Sequence, residues 1–363
     1  YQIDPSFGTT EDLRELVQEA HKRGMKIVMD AVFNHTGREF FAFEDIMEKG
    51  EKSKYLDWYY IEKFPLESER GEIPNYKCFG YYGGMPKLNL KNPEVEKFFT
   101  DVACYWIKEC DIDGWRMDVG DEISHYFWKN FRRAVKAVKK DMLIIGEIWH
   151  YAGDFLEGDE WDTVMNYPFY LNLIDLLADE KINVSQFIQN LGYLKGRLNK
   201  KCYPLMWNLI DSHDTARFLH LCDDNKKKQH LAAAFQLLLP GMPMIYYGDE
   251  FAMPGANDPD CRRGMYWDEE YQDKEMFEWY KQLLKVRKNH ACIVEGEPME
   301  LAARDEEETI VLTRKNGEET LALIFNCSSS ARVFHEYAQK YDLLREKPFD
   351  GKIAGLDAAV IVL

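Results

Sequence analysis

The chain alternates short apolar runs with amphipathic stretches, and the two periods predict strands and helices in turn. Lys26 to Phe33, Asp113 to Val119, Met142 to Trp149 and Leu205 to Ile210 are apolar runs of strand length. Thr9 to Arg23, Pro93 to Cys110 and Tyr126 to Lys140 are amphipathic and read as helices. Thr9 or Thr10 can cap the first helix, Glu11 and Asp12 favour its positive end, and Gly24 ends it. Strand and helix in alternation is the βα repeat, which implies a parallel sheet with all strand ends on one side. A weaker strand lies at 163–167, and a helix over Lys226 to Leu239 is stopped by Pro240-Gly241. Met242 to Tyr247 then makes a last strand and Lys274 to Lys288 a last helix. Six strands are read in all, at roughly 26–33, 112–118, 142–147, 163–167, 205–211 and 243–247. A closed barrel needs eight, so either the sheet is open or two strands lie upstream of Tyr1.

Two stretches break this rhythm. Residues 36–92 carry Tyr55, Trp58, Tyr59 and Tyr60, then Gly71, Pro74, Tyr76, Tyr81, Tyr82, Gly83, Gly84 and Pro86. That is too long for an ordinary βα loop and reads as an excursion domain forming one wall of a cleft. From about residue 297 apolar and polar residues alternate around hairpin signals: Thr309 to Thr313, Asn316-Gly317, Thr320 to Phe325 and a final Ala359 to Leu363. This tail reads as an antiparallel β domain.

The chemistry gathers at strand ends. Asp118 closes an apolar run with Arg116 two residues before it, on the same face, where a fixed positive charge favours the ionised carboxylate a nucleophile needs. A structural Arg–Asp pair would look the same in isolation. The other runs, however, end in Asn34-His35, Glu147 and His213-Asp214. In a closed βα barrel such ends converge on one pocket.

Composition narrows the partners. At 363 residues and 46% apolar content there is room for a barrel-sized domain and a smaller one. A net charge of −17 disfavours nucleic acid and anionic membrane, and a neutral substrate fits better. An aromatic content of 14%, clustered near the expected pocket, suits stacking on sugar rings. Eight cysteines without a C-x-x-C pattern suggest a reducing compartment, and no apolar run reaches membrane-spanning length. A metal-dependent hydrolase would need clustered histidines, and neither H-x-H nor H-E-x-x-H occurs. The chain opens on Tyr1 without an initiator Met, as though residues upstream are absent.

Taken together, the strand ends resemble the four signature regions of the α-amylase family of glycoside hydrolases. Asp30 to His35 resembles the first, Gly114 to Val119 the second, Gly146 to Trp149 the third and Ser212 to Thr215 the fourth, in the family's order. Met85-Pro86-Lys87-Leu88-Asn89 is similar to the fifth region of the neopullulanase, cyclomaltodextrinase and maltogenic amylase group. Asp258 to Met265 resembles that group's loop after the eighth strand, with Gly264 where proline is expected. The resemblance covers essentially the whole chain. It implies an α/β fold: a (β/α)8 TIM barrel with strands 3–8 visible, an excursion domain after strand 3 and a C-terminal antiparallel β-sandwich. The domains would be 1–35 with 93–290, then 36–92, then 291–363. The first two strands and an amino-terminal β domain that supplies an aromatic platform would lie outside this chain, which alone would then be inactive.

The same resemblance assigns Asp118 as nucleophile, Glu147 as general acid/base and Asp214 as transition-state stabiliser. A retaining glycosidase needs one ionised and one protonated carboxyl about 5–5.5 Å apart. Glu147, after Ile144-Ile145 and beside Trp149, is expected in apolar surroundings that favour its protonated form. His35 and His213 would hydrogen-bond the reacting sugar. Asp30 and Asn34 would brace the pocket, Arg217 would help hold Asp118 or Asp214, and Glu122 and Trp149-His150 would shape the leaving-group side. Tyr167, Tyr247 and Asp249 read as strand-end packing, and Cys261-Arg262-Arg263 as a loop anchored by salt bridges. The implied reaction is endo-type cleavage of α-1,4-glucosidic bonds in maltooligosaccharides, cyclodextrins or pullulan, with transfer to sugar acceptors. No cofactor is required, no metal ligand set is assigned, and the family leaves room for a calcium ion. A cytoplasmic location and a homodimer of the full-length protein are expected. The alternatives are a catalytically silent amylase-like carbohydrate-binding module, which the presence of all three carboxylates disfavours, and an α-glucosidase acting on another disaccharide, which Met85 to Asn89 disfavours.

Overall fold

The computed structural model describes residues 1–67 and 73–363, so Gly71 of the expected excursion lies outside the described residues. The chain divides into two compact units, Tyr1–Ile148 with Ala152–Val164, and Trp149–Tyr151 with Met165–Leu363.

The first unit contains α1 (Thr10–Lys22), β1 (Val28–Ala31), α2 (Phe41–Lys49), α3 (Pro93–Cys110), β2 (Gly114–Met117), α4 (His125–Val138), β3 (Leu143–Gly146) and β4 (Thr163–Val164). The helices begin where their caps allow. Thr9 accepts from the Asp12 amide while Asp12 accepts from the Thr9 amide, and Asn92 caps a helix whose first residue is Pro93. Helix α4 buries Phe127, Trp128, Phe131 and Val135, one face of a 3.6-residue repeat. Phe33 packs between its Phe131 and Phe99 of α3.

The four strands are parallel in the order β1-β2-β3-β4. Their register sets Ala31 beside Met117, Met117 beside Gly146 and Gly146 beside Val164. The residues that follow β2 and β3 are Asp118 and Glu147, so the register delivers the two carboxylates side by side. At the opposite end of β2, Asp113 accepts from His21, the Ile27 amide, Lys26 and Lys139. Burial opposes its charge, but these four donors outweigh burial and hold the carboxyl well below the usual range.

The second unit contains α5 (Tyr167–Leu177), α6 (Val184–Arg197), β5 (Trp207–Asn208), α7 (Phe218–Leu221), α8 (Lys226–Leu238), β6 (Met242–Pro243), α9 (Lys274–Asn289) and α10 (Cys292–Glu295). Strands β5 and β6 are parallel. There follow β7 (Glu297–Arg304), β8 (Thr309–Asn316), β9 (Glu319–Asn326), β10 (Arg332–Val333), β11 (Tyr341–Asp342), β12 (Lys347–Pro348), β13 (Lys352–Ile353) and β14 (Asp357–Val362). Six of these form an antiparallel sheet in the order β12-β11-β14-β9-β8-β7. Its period-2 alternation is two-sided. Leu321, Leu323, Phe325 and Val360 join the core that includes Phe235 and Leu283 of the helices. Ala322, Ile324, Ala359 and Ile361 face Phe334, Phe349 and Ile353. Gly317, at a φ of 60°, makes the tight turn between β8 and β9, as the Asn316-Gly317 pair predicts.

The parallel strands fall where the apolar runs predict them but are shorter, notably Trp207–Asn208 within the expected 205–211 and Met242–Pro243 at the start of the expected last strand. Helix α2 and edge strand β7 were not expected; β7 carries a bulge between Pro298 and Glu300 that interrupts its alternation.

Candidate active site

In the first unit the expected residues gather around one guanidinium. Arg116 Nη1 donates to Asp30 Oδ1 and to Asp118 Oδ1, each at 2.8 Å, and its Nη2 lies 2.8 Å from Glu147 Oε2. The Nη2 contact is ionic rather than an aligned hydrogen bond. Burial opposes the charge on Arg116, but Asp30, Glu147 and Asp118 outweigh it and push its pKa above the ordinary arginine range. The guanidinium is thus a permanent cation holding three carboxylates.

Glu147 departs from the expected apolar setting. It is 5% exposed, but Oε2 meets Arg116 and accepts from the Val119 amide at 3.0 Å. Val119 makes that contact from a left-handed conformation, with a φ of 46°, unusual for a β-branched residue and held here by its surroundings. Trp161, stacked on Phe155 at 4.1 Å, covers Gly120 and Gly146; a Cβ on Gly146 would fall 2.2 Å from its ring. Glycine is therefore required immediately before Glu147, and sequence reasoning missed Trp161 because nothing in its local pattern marks a distant glycine as its partner.

His35 is buried and stacks on Phe79 at 5.3 Å. Burial, aided by Lys87, pushes its pKa down despite the opposing pull of Asp118 and Glu122, so the ring is a neutral donor. Asn34, 1% exposed, accepts from Lys87 Nζ at 2.5 Å, and its Nδ2 donates to Glu122 Oε2 at 3.4 Å. Lys87 Nζ also meets Glu122 Oε2 at 2.7 Å. Asn34 thus has the bracing place expected of it, its amide being spent on these partners. Lys87, from the Met85 to Asn89 stretch, therefore ties Asn34 to Glu122, a role its sequence context does not mark.

In the second unit Trp149 lies flat on Tyr167, 3.9 Å between ring centres, and remains 40% exposed. Asp214 Oδ1 accepts from Arg262 Nη2 at 3.1 Å and Oδ2 lies 3.2 Å from His213 Nε2. Arg262 Nε also donates to the His213 carbonyl at 2.8 Å, so this loop is anchored by salt bridges as expected. Arg263 is paired within its own loop to Asp260. Arg217 corrects its expectation: it is 0% exposed and pairs with Asp249 at 3.1 Å, so it cannot meet a substrate and its partner is neither Asp118 nor Asp214.

Asp249 and Asp211 face each other beside Arg217 without solvent. Burial raises both carboxyls, most strongly Asp249, where the Asp211 charge adds to the effect. The mutually facing oxygens lack any other donor, so one proton between them satisfies both. A folded state holding a proton that the unfolded chain releases near pH 4 loses stability as pH rises above that value. Asp249→Asn, which mimics the protonated acid, is expected to cost under about 1 kcal/mol at pH 7 and to gain on the parent protein as pH rises. Changing Asp211 and Asp249 together strands the Arg217 charge and should cost about 3–5 kcal/mol. Urea unfolding between pH 5 and 8 measures both; equal costs for single and double variants would refute a shared proton.

Among the described residues, no group of three His, Cys, Asp or Glu side chains is placed to hold a metal ion, and no helix is long and apolar enough to cross a membrane. All eight cysteines are unpaired.

Comparison with known proteins places this arrangement in context. The "Alpha amylase, catalytic domain" family profile matches residues 1–296. The chain is 45% identical over 331 residues to a cyclomaltodextrinase of Geobacillus thermopakistaniensis, covering 91% of this chain and 56% of the relative. It is 47% identical over 295 residues to neopullulanase 2 of Thermoactinomyces vulgaris, covering 81% and 50%. A solved cyclomaltodextrinase structure superposes with a TM-score of 0.93 at 38% identity, covering 99% of this chain and 64% of that one. The chain belongs to the α-amylase family, and its fold is that family's (β/α)8 barrel with a C-terminal antiparallel β-sheet domain. It spans between half and three-fifths of the length of these curated relatives.

Proposed function

We propose that the full-length protein is a retaining glycoside hydrolase that cleaves α-1,4-glucosidic bonds in maltooligosaccharides, cyclodextrins or pullulan through a covalent glycosyl-enzyme intermediate, with transfer to sugar acceptors as a side reaction. The observation that carries this reading is the Arg116 clamp, which sets Asp118 and Glu147 on the two terminal nitrogens of one guanidinium. That arrangement allows the separation of about 5–5.5 Å that a retaining mechanism uses.

In this proposal Asp118 attacks the anomeric carbon while Glu147 protonates the leaving oxygen, and Glu147 then deprotonates the water or sugar hydroxyl that releases the glycosyl group. The acid/base role falls to Glu147, the least exposed of the three carboxyls around Arg116. Forming the ester at Asp118 removes a negative charge from the clamp, and Arg116 then favours the ionised Glu147 needed as base. His35 donates to a sugar hydroxyl. By their match to the fourth signature, His213 and Asp214 are read as sugar-binding and transition-state-stabilising groups. Glu122 and Trp149 are read as shaping the leaving-group side.

The residue ranges 1–35 with 93–290, 36–92 and 291–363 are our reading of barrel, excursion and C-terminal domains. A cytoplasmic location is proposed from the unpaired cysteines and from likeness to an "Intracellular maltogenic amylase" of Bacillus subtilis, 42% identical over 327 residues. A homodimer of the full-length protein and a calcium ion remain part of the proposal on family resemblance alone.

The test is to assay the full-length protein on β-cyclodextrin, pullulan and soluble starch, following products by chromatography. Preference for cyclodextrin over starch, with maltose and glucose released, is the expected result. A folded protein that cleaves none of the three contradicts the proposal and favours a sugar-binding module.

A further inference from the structure

Trp161 takes no part in the proposed reaction, yet it lies against Gly146, which precedes Glu147, and against Gly120, which follows Val119. The indole is buried and lies flat on Phe155, 4.1 Å between ring centres. On Phe155 also stacks His125, at 4.4 Å, and the His125 Nδ1 is tied to the buried Glu160 carboxyl at 2.9 Å. Among the described residues the Trp161 indole N–H meets no acceptor, so ring packing and close fit place the side chain. The fit is made by the six-membered half of the indole. A Cβ on Gly146 would fall 2.2 Å from Cε3, and one on Gly120 would fall 2.6 Å from Cζ2. Neither glycine has a left-handed φ, so the indole and not the backbone demands glycine at both positions.

These two glycines carry the geometry of Glu147. Gly146 ends β3, and the Glu147 amide that follows it donates to the Met117 carbonyl at 3.0 Å. Gly120 follows Val119, whose amide donates to Glu147 Oε2 at 3.0 Å from a φ of 46°. A left-handed β-branched residue persists only where its surroundings over-determine it. Here Trp128 Nε1 fixes the Gly120 carbonyl at 2.9 Å, and Trp161 fills the space beside the Gly120 Cα. Glu147 Oε2 meets Arg116 and the Val119 amide, and the second of these contacts depends on that turn.

We propose that Trp161 is a positioning residue for the acid/base step: its ring, pressed on Gly120 and Gly146, holds Val119 in the conformation that aims an amide at Glu147 and so fixes that carboxyl beneath the leaving oxygen. The proposal rests on the reading of Glu147 as general acid/base in an α-glucan hydrolase. In that step the Glu147 proton goes to the glycosidic oxygen as its bond to the anomeric carbon breaks and the bond to Asp118 forms. A proton donor acts only within hydrogen-bond reach, and a misplacement of about 1 Å costs about a hundredfold in rate. The cost falls on leaving groups that need a proton and spares those that do not.

Trp161→Phe in the full-length protein tests this, because the smaller ring still stacks on Phe155 but lacks the reach to Gly120. Two substrates share a maltosyl donor: maltotriose expels glucose and needs the proton, whereas α-maltosyl fluoride expels fluoride and does not. Trp161→Phe is expected to lower kcat/KM on maltotriose about 30- to 100-fold and on the fluoride by no more than about twofold. Adding Gly120→Ala to Trp161→Phe refills the vacated space with a methyl group and is expected to recover most of the loss. Gly120→Ala alone meets the indole and is expected to lower maltotriose cleavage in the same selective way. An equal fall on both substrates, or no fall on maltotriose, overturns the proposal. Amide exchange at Val119, read at single-residue resolution by fragmentation mass spectrometry, follows the bond to Glu147 without turnover. It is expected to quicken about tenfold in Trp161→Phe and to return toward the parent rate in the double variant. A parent protein that cleaves neither substrate while Val119 shows this change keeps Trp161 as the brace of Glu147 and removes the hydrolase reading. An unchanged exchange rate overturns the proposal whatever the activities.

Discussion

Asp118→Asn is expected to lower kcat/KM on β-cyclodextrin by about four orders of magnitude or more, with the thermal midpoint within a few degrees of the parent. The substitution keeps the shape of the side chain and one oxygen to accept from Arg116 Nη1, so the clamp survives. What is lost is the nucleophile, and no neighbouring group replaces it: Asp30 and Glu147 are the other carboxylates on the same guanidinium, and in the proposed mechanism neither performs the attack. Steady-state kinetics with a melting curve on the same preparation separates the two effects. An Asp118→Asn protein that keeps a tenth of the parent activity would place the nucleophile elsewhere.

The second large effect concerns Arg116. Arg116→Met keeps much of the volume but leaves Asp30, Asp118 and Glu147 facing one another without a cation, two of them largely shielded from water. Removing the one positive member of such a buried cluster is expected to cost about 3–5 kcal/mol of stability and at least about a hundredfold in kcat. The sign of the pH dependence is distinctive. Carboxylates deprived of their cation hold protons more tightly in the folded than in the unfolded chain, so the variant is closest to the parent in acid and falls away as pH rises past about 4. Arg116→Lys supplies one point charge in place of a two-ended fork and is expected to recover stability better than activity. Urea unfolding at pH 5 and pH 7.5 checks the slope; a pH-independent loss would mean that Arg116 contributes packing alone.

Much of the site's logic is local, and local logic is legible. Arg116 and Asp118 share a face because strand side chains alternate. The apolar runs before Asp118 and Glu147 end where β2 and β3 end, so two carboxylates on adjacent parallel strands follow from pattern plus the rule that parallel strands align their ends. The β8–β9 hairpin follows from Asn316-Gly317 in the same way. What escaped depends on pairings across long stretches of chain. Nothing near Arg217 distinguishes a partner in Asp249 from one in Asp214, because the choice is made by burial, and burial depends on the fold as a whole. Glu147 looked apolar from its neighbours in sequence, yet its carboxylate is met by Arg116 from the adjacent strand and by a Val119 amide turned toward it by an uncommon backbone conformation. Trp161 reaches Gly120 and Gly146 from beyond the next turn, a contact that only the folded chain discloses. Helix α2 was hidden inside a stretch read mainly from its aromatic residues.

The covalent intermediate on Asp118 is the claim on which the rest depends. We would incubate the full-length Glu147→Gln variant with α-maltosyl fluoride, whose leaving group departs without acid assistance, and map the acid-quenched protein by peptide mass spectrometry. The account predicts a single maltosyl adduct on the peptide containing Asp118, because loss of the base slows hydrolysis of the ester. An adduct on a different carboxylate, or turnover of the fluoride with inverted product and no adduct, would contradict it.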